Sequence, residues 1–194
     1  MGASQTAELL SRCDLLRSLH RPGAPLLLPN VWDVATARAV VAAGFPVVAT
    51  GSVGVAAALG YEDHEAPADE MLGAAARIAS GVEVPVTVDA EAGYGMDPAE
   101  LAAALRSAGA AAVRRANAYL EAGADCVYPI GLWETAALQR FVSAVRGPVN
   151  VARLPQAPSP AELADLGVAR VSWGPLLYWD AMARFADQLG SLQE

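Results

Sequence analysis

Short apolar runs alternate along the chain with longer segments in which apolar residues recur every three or four positions. That period is typical of a helix with one buried face, whereas the short runs are rich in the β-branched and aliphatic residues of buried strands. The pattern predicts helices at 6–19, 33–43, 68–80, 99–108, 114–121, 134–145 and 175–189. It predicts strands at 26–28, 47–50, 85–89, 126–129, 149–152 and 168–173. Because strands and helices alternate, we expect an α/β protein with a parallel sheet.

No linker, charge run or low-complexity segment divides this pattern, so residues 1–194 are predicted to form one domain, with an N-terminal helix within 1–22. Two architectures place polar residues at the carboxyl ends of parallel strands: the doubly wound sheet and the (β/α)8 barrel. No glycine-rich dinucleotide fingerprint follows the first strand, which argues against the doubly wound sheet. A typical barrel has roughly 250 residues, about 31 per βα unit, so a chain of 194 residues supplies about six units.

Composition and charge exclude several classes of function. With 54% hydrophobic and 18% charged residues, the chain can build a large core. A net charge of −8 without a basic patch makes nucleic acid an unexpected partner. No apolar run is long enough to span a bilayer, and no secretory apolar core is present. Cys13 and Cys126 lack metal-ligand spacing and are predicted to be reduced thiols, so we expect a cytoplasmic protein.

The stretch 85–95, PVTVDAEAGYG, carries the clearest chemical signal. Its β-branched run ends in Asp89 and Glu91, and a Gly-Tyr-Gly turn follows at once. If strand geometry persists to Glu91, the two carboxylates share one face. Carboxylates that converge at a strand end need a positive partner, and a hard divalent cation such as Mg²⁺ is the usual one. The alternative interpretation is a solvated strand end that binds no metal.

This motif is one of several that resemble, in the same order along the chain, the isocitrate lyase / phosphoenolpyruvate mutase superfamily. The resemblance covers nearly the whole chain, which makes it far more specific than any single motif. The matching segments are LPNVWDVATAR at 28–38, AGFPVVATGS at 43–52, LGYED at 59–63, DAEAGYG at 89–95, AGAD at 122–125, PVNV at 148–151 and LGVARVS at 166–172.

The resemblance implies a Mg²⁺-dependent TIM barrel, with Mn²⁺ as an alternative ion, that makes or breaks C–C or C–P bonds beside a carboxylate. The implied substrates are small 2-oxo or 2-hydroxy carboxylic acids, which react through an enolate-like intermediate. By position, Asp89 and Glu91 match the metal-binding acids, and Asp63 matches a loop carboxylate near the reacting centre. The residues that match the substrate-binding loop are Thr50, Gly51 and Ser52. Family members assemble by exchanging terminal helices, so we expect a homo-oligomer.

One part of the family pattern is absent from this chain. At 113/114 it lacks a stretch that in the family holds a strand ending in a Glu-Asp pair, a helix, and a strand ending in an acid-binding arginine. The shortfall of about 56 residues is close to two βα units. We therefore expect a shortened barrel of about six to seven strands, with at most a stub strand at 111–113.

Two functions stay open at this point. The first is a lyase, mutase or hydrolase of the kind described, and the second is a catalytically inactive family member that keeps the fold and at most weak metal or ligand binding. Several nearby side chains also have ordinary explanations. Asp63 fits a plain loop carboxylate, Ser52 a helix cap and His64 a surface-loop histidine. Arg153 either replaces the missing acid-binding arginine or is a surface residue, and Trp32 either lines the pocket or packs in the core.

Overall fold

A computed structural model describes residues 3–89, 91, 116–117, 119–121 and 123–192. The helices are α1 Ala3–Ser18, α2 Val34–Ala42, α3 Ser52–Leu59, α4 Ala68–Ser80, α5 Thr135–Ala144, α6 Pro160–Asp165 and α7 Leu176–Ser191. The strands are β1 Leu26–Leu28, β2 Asn30–Val31, β3 Val48–Thr50, β4 Val86–Thr87, β5 Asn150–Ala152 and β6 Arg170–Ser172. Residues 116–117 and 119–121 are also helical. The predicted helix 99–108 and the stub strand 111–113 lie outside the described residues.

Side-chain caps determine where several helices begin. The Asp33 carboxylate accepts a hydrogen bond of 2.7 Å from the Thr36 amide at the start of α2, and Gly44 follows that helix with a φ of 90°. Helix α6 was not predicted, although its start carries a recognisable signal. There, Ser159 and Glu162 form a reciprocal capping box around a proline in the first turn.

The chain divides into two compact units, of which the first comprises Met1–Leu27 and Ala92–Ser172. Its sheet has the order β1–β6–β5. Strands β5 and β6 are parallel, with Asn150 opposite Arg170, and an isolated parallel bridge joins Val127 to Val149. The valines of these strands are fully buried, which explains why a β-branched run forms a strand here.

The second unit comprises Leu28–Glu91 and Trp173–Glu194. Its sheet has the order β2–β3–β4, and both strand pairs are parallel. The carboxyl ends of the three strands therefore meet at one edge. Because the strands run in the same direction, Thr50 and the residues after Thr87 lie at that edge. A cluster of buried apolar side chains packs behind this sheet: Val31, Ala37, Val48, Val55, Ala56, Ala66, Met71, Ala74, Ile78 and Val82.

These elements confirm a mixed α/β fold with parallel sheets. The strands predicted at 26–28 and 47–50 and the two C-terminal strands are present, while 126–129 contributes only the bridge at Val127. Among the described residues the strands form two three-stranded sheets and no closed barrel. Over the same residues, no helix combines the length and apolar character needed to cross a membrane.

A chain of polar contacts links α1 to the sheet of the first unit. His20 Nδ1 lies 2.7 Å from the Leu16 carbonyl oxygen, and Arg170 Nη1 lies 3.4 Å from His20 Nε2. Arg170 Nε donates to Asn150 Oδ1 at 3.1 Å, and Asn150 Nδ2 donates to Ser172 Oγ at 3.1 Å. Burial lowers the pKa of His20, and the positive charge of Arg170 acts in the same direction. The network therefore favours the neutral imidazole in the folded protein.

This arrangement predicts a dependence of stability on pH. Because the pKa of His20 is lower in the folded than in the unfolded chain, protonation favours unfolding, and stability is lost as the pH falls below about 6.5. The free energy of unfolding, measured with urea at pH 7.5, 6 and 5, should decrease less for His20→Gln than for the wild type as the pH falls. Equal losses in both proteins would contradict this role, since carboxylate protonation would then account for the whole effect.

Candidate active site

Asp89 lies just beyond β4 and is held by three hydrogen bonds. Its backbone N–H donates to Thr50 Oγ1 at 2.8 Å, and the Thr50 side chain is buried at the end of β3. The Asp89 carboxylate accepts the Ser52 amide at 3.2 Å through Oδ2 and the Glu91 amide at 3.1 Å through Oδ1. Ser52 begins α3, so the carboxylate also lies at the positive end of a helix dipole. Each oxygen keeps a further lone pair with which it can bind a cation.

The expectation that a strand continues to Glu91 and places both carboxylates on one of its faces is wrong. Strand β4 ends at Thr87, and Glu91 has a left-handed backbone with a φ of 51°. The bond from the Glu91 amide to the Asp89 side chain closes an Asx turn, which competes with continued strand geometry. The two carboxylates therefore lie at the same strand end through a turn and not through a shared strand face.

The Glu91 carboxylate is almost completely buried, with 9% of its side chain exposed. Its Oε2 accepts a hydrogen bond from His64 at 3.0 Å. Its Oε1 is buried and has no hydrogen-bond partner among the described residues. A buried carboxylate oxygen without a partner is costly, because the charge loses its water and gains nothing in return.

His64 and Asp63 lie on the loop between α3 and α4. His64 has a φ of 66°, and its Nε2 lies 3.4 Å from Asp63 Oδ2 while its Nδ1 contacts Glu91. The hydrogen bond with Glu91 raises the pKa of His64, and the charge of Asp63 adds to that effect. The same loop is fixed at Tyr61, whose hydroxyl donates to Glu70 at 2.6 Å. His64 is exposed, as expected for a surface loop, but its two ring nitrogens are directed at acids.

Asp63, His64 and Glu91 form a group that could hold a metal ion. Each offers one ligand atom, and these atoms all lie within 4.8 Å of one another. Two carboxylates and an imidazole are a common donor set for divalent cations, and the unpartnered Oε1 of Glu91 supplies a reason for one to bind. The residues present therefore fit a cation. Asp89 adjoins this group through its bond to the Glu91 amide.

The structure brings Thr50, Gly51 and Ser52 to the same edge, although their role with substrate stays a prediction. The Gly51 amide donates to the Val31 carbonyl at 3.1 Å, and the Ser52 amide donates to Asp89. A substrate oxygen would have to compete with these bonds. Ser52 is the first residue of α3, whose N-cap position is Gly51.

Asn30 is a structural element of this edge that the sequence did not suggest. Its Nδ2 donates to the Thr50 carbonyl at 3.0 Å, and its Oδ1 accepts the amides of Trp173 and Gly174, each at 2.9 Å. One side chain thus ties the end of β3 to the segment that precedes α7. The only sequence signal was an asparagine at a strand end after a proline.

Other side chains that were considered for the site have structural roles. The Trp32 ring packs edge-on against Tyr178, with ring centroids 5.2 Å apart. In the first unit, the Arg153 guanidinium donates to the carbonyls of Leu154 and Ala157, so it braces its own loop. Tyr94, the tyrosine of the predicted Gly-Tyr-Gly turn that follows the two acids, lies outside the described residues.

In α/β folds with parallel strands, active sites lie at the carboxyl ends of the strands, which is where the acids of this protein are clustered. A sequence profile of the phosphoenolpyruvate phosphomutase family matches residues 16–112 and 105–193. The chain belongs to that family. This confirms the superfamily indicated by the sequence motifs.

Solved structures show the same relationship. A crystal structure from Burkholderia cenocepacia J2315, provisionally described as a phosphonomutase, is 33% identical with a TM-score of 0.82, over 93% of this chain and 98% of that one. A second crystal structure from the same organism, provisionally described as a lyase/mutase, is 28% identical with a TM-score of 0.81. The match covers 96% of this chain and 90% of that one. A 2,3-dimethylmalate lyase, described as a member of the PEP mutase/isocitrate lyase superfamily, shares the fold at 20% identity and a TM-score of 0.78, over 94% and 87%.

A sequence relative comes from Mycobacterium tuberculosis H37Rv, where it is named uncharacterized protein Rv1998c. It is 31% identical over 212 aligned positions, which cover 82% of this chain and 81% of the relative. Since 82% of 194 residues is about 159, about 53 of the aligned positions have no counterpart in this chain.

Proposed function

We propose that this protein is a divalent-cation-dependent lyase, mutase or hydrolase that acts on a C–C or C–P bond of a small 2-oxo or 2-hydroxy carboxylic acid. Family membership supports lyase or mutase chemistry on small carboxylic acids in general. The observation that carries the cation dependence is the buried Glu91 carboxylate, which has one oxygen without a hydrogen-bond partner among the described residues and belongs to a group with Asp63 and His64. Mg²⁺ or Mn²⁺ is the ion that the resemblance implies.

In this proposal Asp89 and Glu91 hold the cation, and Asp63 acts near the reacting bond. A bound cation would stabilise the negative charge that develops on a substrate oxygen in an enolate-like transition state. Two hydrogen bonds to the Asp89 carboxylate and one from its backbone amide fix this residue before any ligand arrives, which reduces the reorganisation needed during reaction. The loop at Thr50, Gly51 and Ser52 would contact the substrate, to which the Ser52 hydroxyl would donate a hydrogen bond.

We also propose that the fold is a shortened barrel with an internal deletion near 113/114. The family profile matches in two pieces that meet at 105–112, as expected if an internal section of the family pattern is missing. The unmatched positions of the mycobacterial relative, about 53, are close to the shortfall of about 56 residues that barrel geometry suggests. The absent section would carry the acid-binding arginine, which favours the second candidate function, a catalytically inactive member that retains metal binding.

A metal titration combined with a substrate panel tests the proposed function. At about 100 times its Kd, a cation should stabilise the folded protein by about 2.7 kcal/mol, or roughly 5–10 °C in melting temperature. Glu91→Gln, which keeps the shape of the side chain and removes its charge, should lose most of this shift. Turnover should then be measured with oxaloacetate, a methylisocitrate-type acid, 2,3-dimethylmalate and phosphonopyruvate.

The outcomes separate the two candidate functions. Metal binding with turnover supports the enzyme, while metal binding without turnover of any of these acids supports the inactive member. If neither Mg²⁺ nor Mn²⁺ changes the melting temperature of the wild type, the cation-dependent proposal is wrong.

We further propose that the protein is a cytoplasmic homo-oligomer that assembles through α7. Helix α7 buries none of its residues, and apolar side chains recur three or four positions apart along it and at the residue that follows it, each 41–80% exposed. Such a stripe is the pattern of a helix that packs against a partner. The residues of this stripe are Trp179, Met182, Phe185, Leu189 and Leu192.

Light scattering after gel filtration tests this assembly. The wild type is expected to elute as a dimer or larger oligomer, and the double variant Phe185→Glu with Leu189→Glu should become monomeric, because both charges fall within the stripe. Arg184→Glu, on the same helix but outside the stripe, is the control and should leave the mass unchanged. A monomeric wild type would contradict the proposal.

A further inference from the structure

We infer that His64 is a direct ligand of the cation, so that the site prefers ions with affinity for nitrogen, such as Co²⁺, Ni²⁺ and Zn²⁺, over Mg²⁺. The inference rests on the cation site of the proposed function and adds a donor to it. It changes the expected class of ion from one that selects oxygen ligands to one that accepts mixed nitrogen and oxygen ligands.

The observation that points to a ligand is independent of the cluster's own hydrogen bonds. The Glu91 side chain is 9% exposed, and its Oε1 is buried without a partner among the described residues. The same carboxylate belongs to the group in which one ligand atom from each of Asp63, His64 and Glu91 lies within 4.8 Å of the others. A cation bound at this carboxylate would supply the partner that its Oε1 lacks.

Direct coordination requires the side chains to move closer together. Ligand atoms lie about 2.0–2.2 Å from a bound Zn²⁺, so the ligands of a tetrahedral site are about 3.4 Å apart. Atoms of this group that are as much as 4.8 Å apart therefore have to approach by about 1 Å or more. His64 is 71% exposed and Asp63 is 40% exposed, so both side chains can rotate with little loss of packing.

The donor count also favours His64. Without His64, the group offers two carboxylates, those of Asp63 and Glu91. The imidazole adds a third donor, and that donor is nitrogen. Imidazole binds Co²⁺, Ni²⁺ and Zn²⁺ well, whereas Mg²⁺ takes carboxylates and water.

Calorimetric titration of the full chain with Co²⁺ and with Mg²⁺ tests the inference. His64→Asn is the informative variant, because asparagine tolerates the left-handed backbone at this position and removes the imidazole nitrogen. It should weaken Co²⁺ binding at least about ten-fold and change Mg²⁺ binding by less than about two-fold. His20→Asn, at the other histidine of the chain, is the control and should leave both ions unaffected.

A second readout identifies the ligand directly. The chain has 2 histidines, so the imidazole signals in a ¹⁵N-correlated NMR spectrum are readily assigned with the two variants. Paramagnetic Co²⁺ should strongly shift or broaden the His64 imidazole signals and leave those of His20 in place.

The inference is overturned if His64→Asn binds Co²⁺ as the wild type does, or if it weakens Co²⁺ and Mg²⁺ equally, because His64 would then only position Glu91. In either case a Mg²⁺ response that is lost in Glu91→Gln would leave the proposed function standing. If the wild type binds neither ion, the inference and the proposed cation site both fail.

Discussion

Replacing Asp89 by asparagine should abolish the stabilisation of this protein by divalent cations and reduce any turnover at least about 100-fold, because the anionic ligand is lost. The free energy of unfolding of the metal-free protein should change less. One amide oxygen can still accept one of the two backbone amides, but the NH₂ group then faces the other. The amide also interacts less favourably than the carboxylate with the dipole at the start of α3. The two effects together should lower the free energy of unfolding by about 1–2 kcal/mol.

Asp69→Asn is the matched control for this variant. Asp69 is exposed in the first turn of α4, so its replacement also removes a negative charge from a helix start in the same unit. It should leave the metal response intact. If Asp89→Asn retains the full cation-dependent rise in melting temperature, measured by scanning fluorimetry, Asp89 is not a ligand.

The largest effect on stability is expected for Asn30→Ala. Alanine leaves two backbone amides, at Trp173 and Gly174, and the Thr50 carbonyl without their partner. A buried group that loses its hydrogen bond costs about 1–3 kcal/mol, and water can reach part of this half-buried site. We expect the free energy of unfolding to fall by about 3 kcal/mol, which corresponds to roughly 6–12 °C in melting temperature.

Asn117→Ala provides the comparison. Asn117 also bonds one backbone amide and one carbonyl, at Arg146 and Ala144, but these bonds are exposed to solvent. Its replacement should cost less than about 1 kcal/mol. If the two variants lose the same free energy of unfolding in urea, Asn30 does not stabilise the link between the end of β3 and the segment before α7. Asn30→Asp keeps the acceptor for both amides and should fall between wild type and alanine.

The parts of the fold that could be predicted from the sequence are those that depend on local apolar patterns. Strand β3 and helix α4 follow directly from a β-branched run and from apolar residues at helical spacing. Helix α6 was missed because it has only six residues, too few to show a helical period, although its capping box was readable. The early end of β4 was missed because the Asx turn at Asp89 depends on a side-chain hydrogen bond that competes with strand pairing.

The candidate site was predictable in part. Asp89 and Glu91 could be singled out because two carboxylates beside a glycine turn are unusual in any sequence context. The contact of His64 with Glu91 could not, because it joins residues 27 positions apart through the left-handed backbone of both. Asn30 was equally inaccessible, since its partners at Trp173 and Gly174 lie more than 140 positions away. Such long-range polar contacts leave no periodic trace in a sequence.

Two hydrogen bonds between the end of β3 and the loop after β4 have a consequence for motion. The Ser52 amide donates to the Asp89 carboxylate, and the Asp89 amide donates to the Thr50 hydroxyl. Separating these two segments breaks both bonds and exposes both amides to solvent at once, so their exchange with deuterium should proceed through a common opening event. The edge of the sheet that carries the acids would then open and close as one cooperative unit.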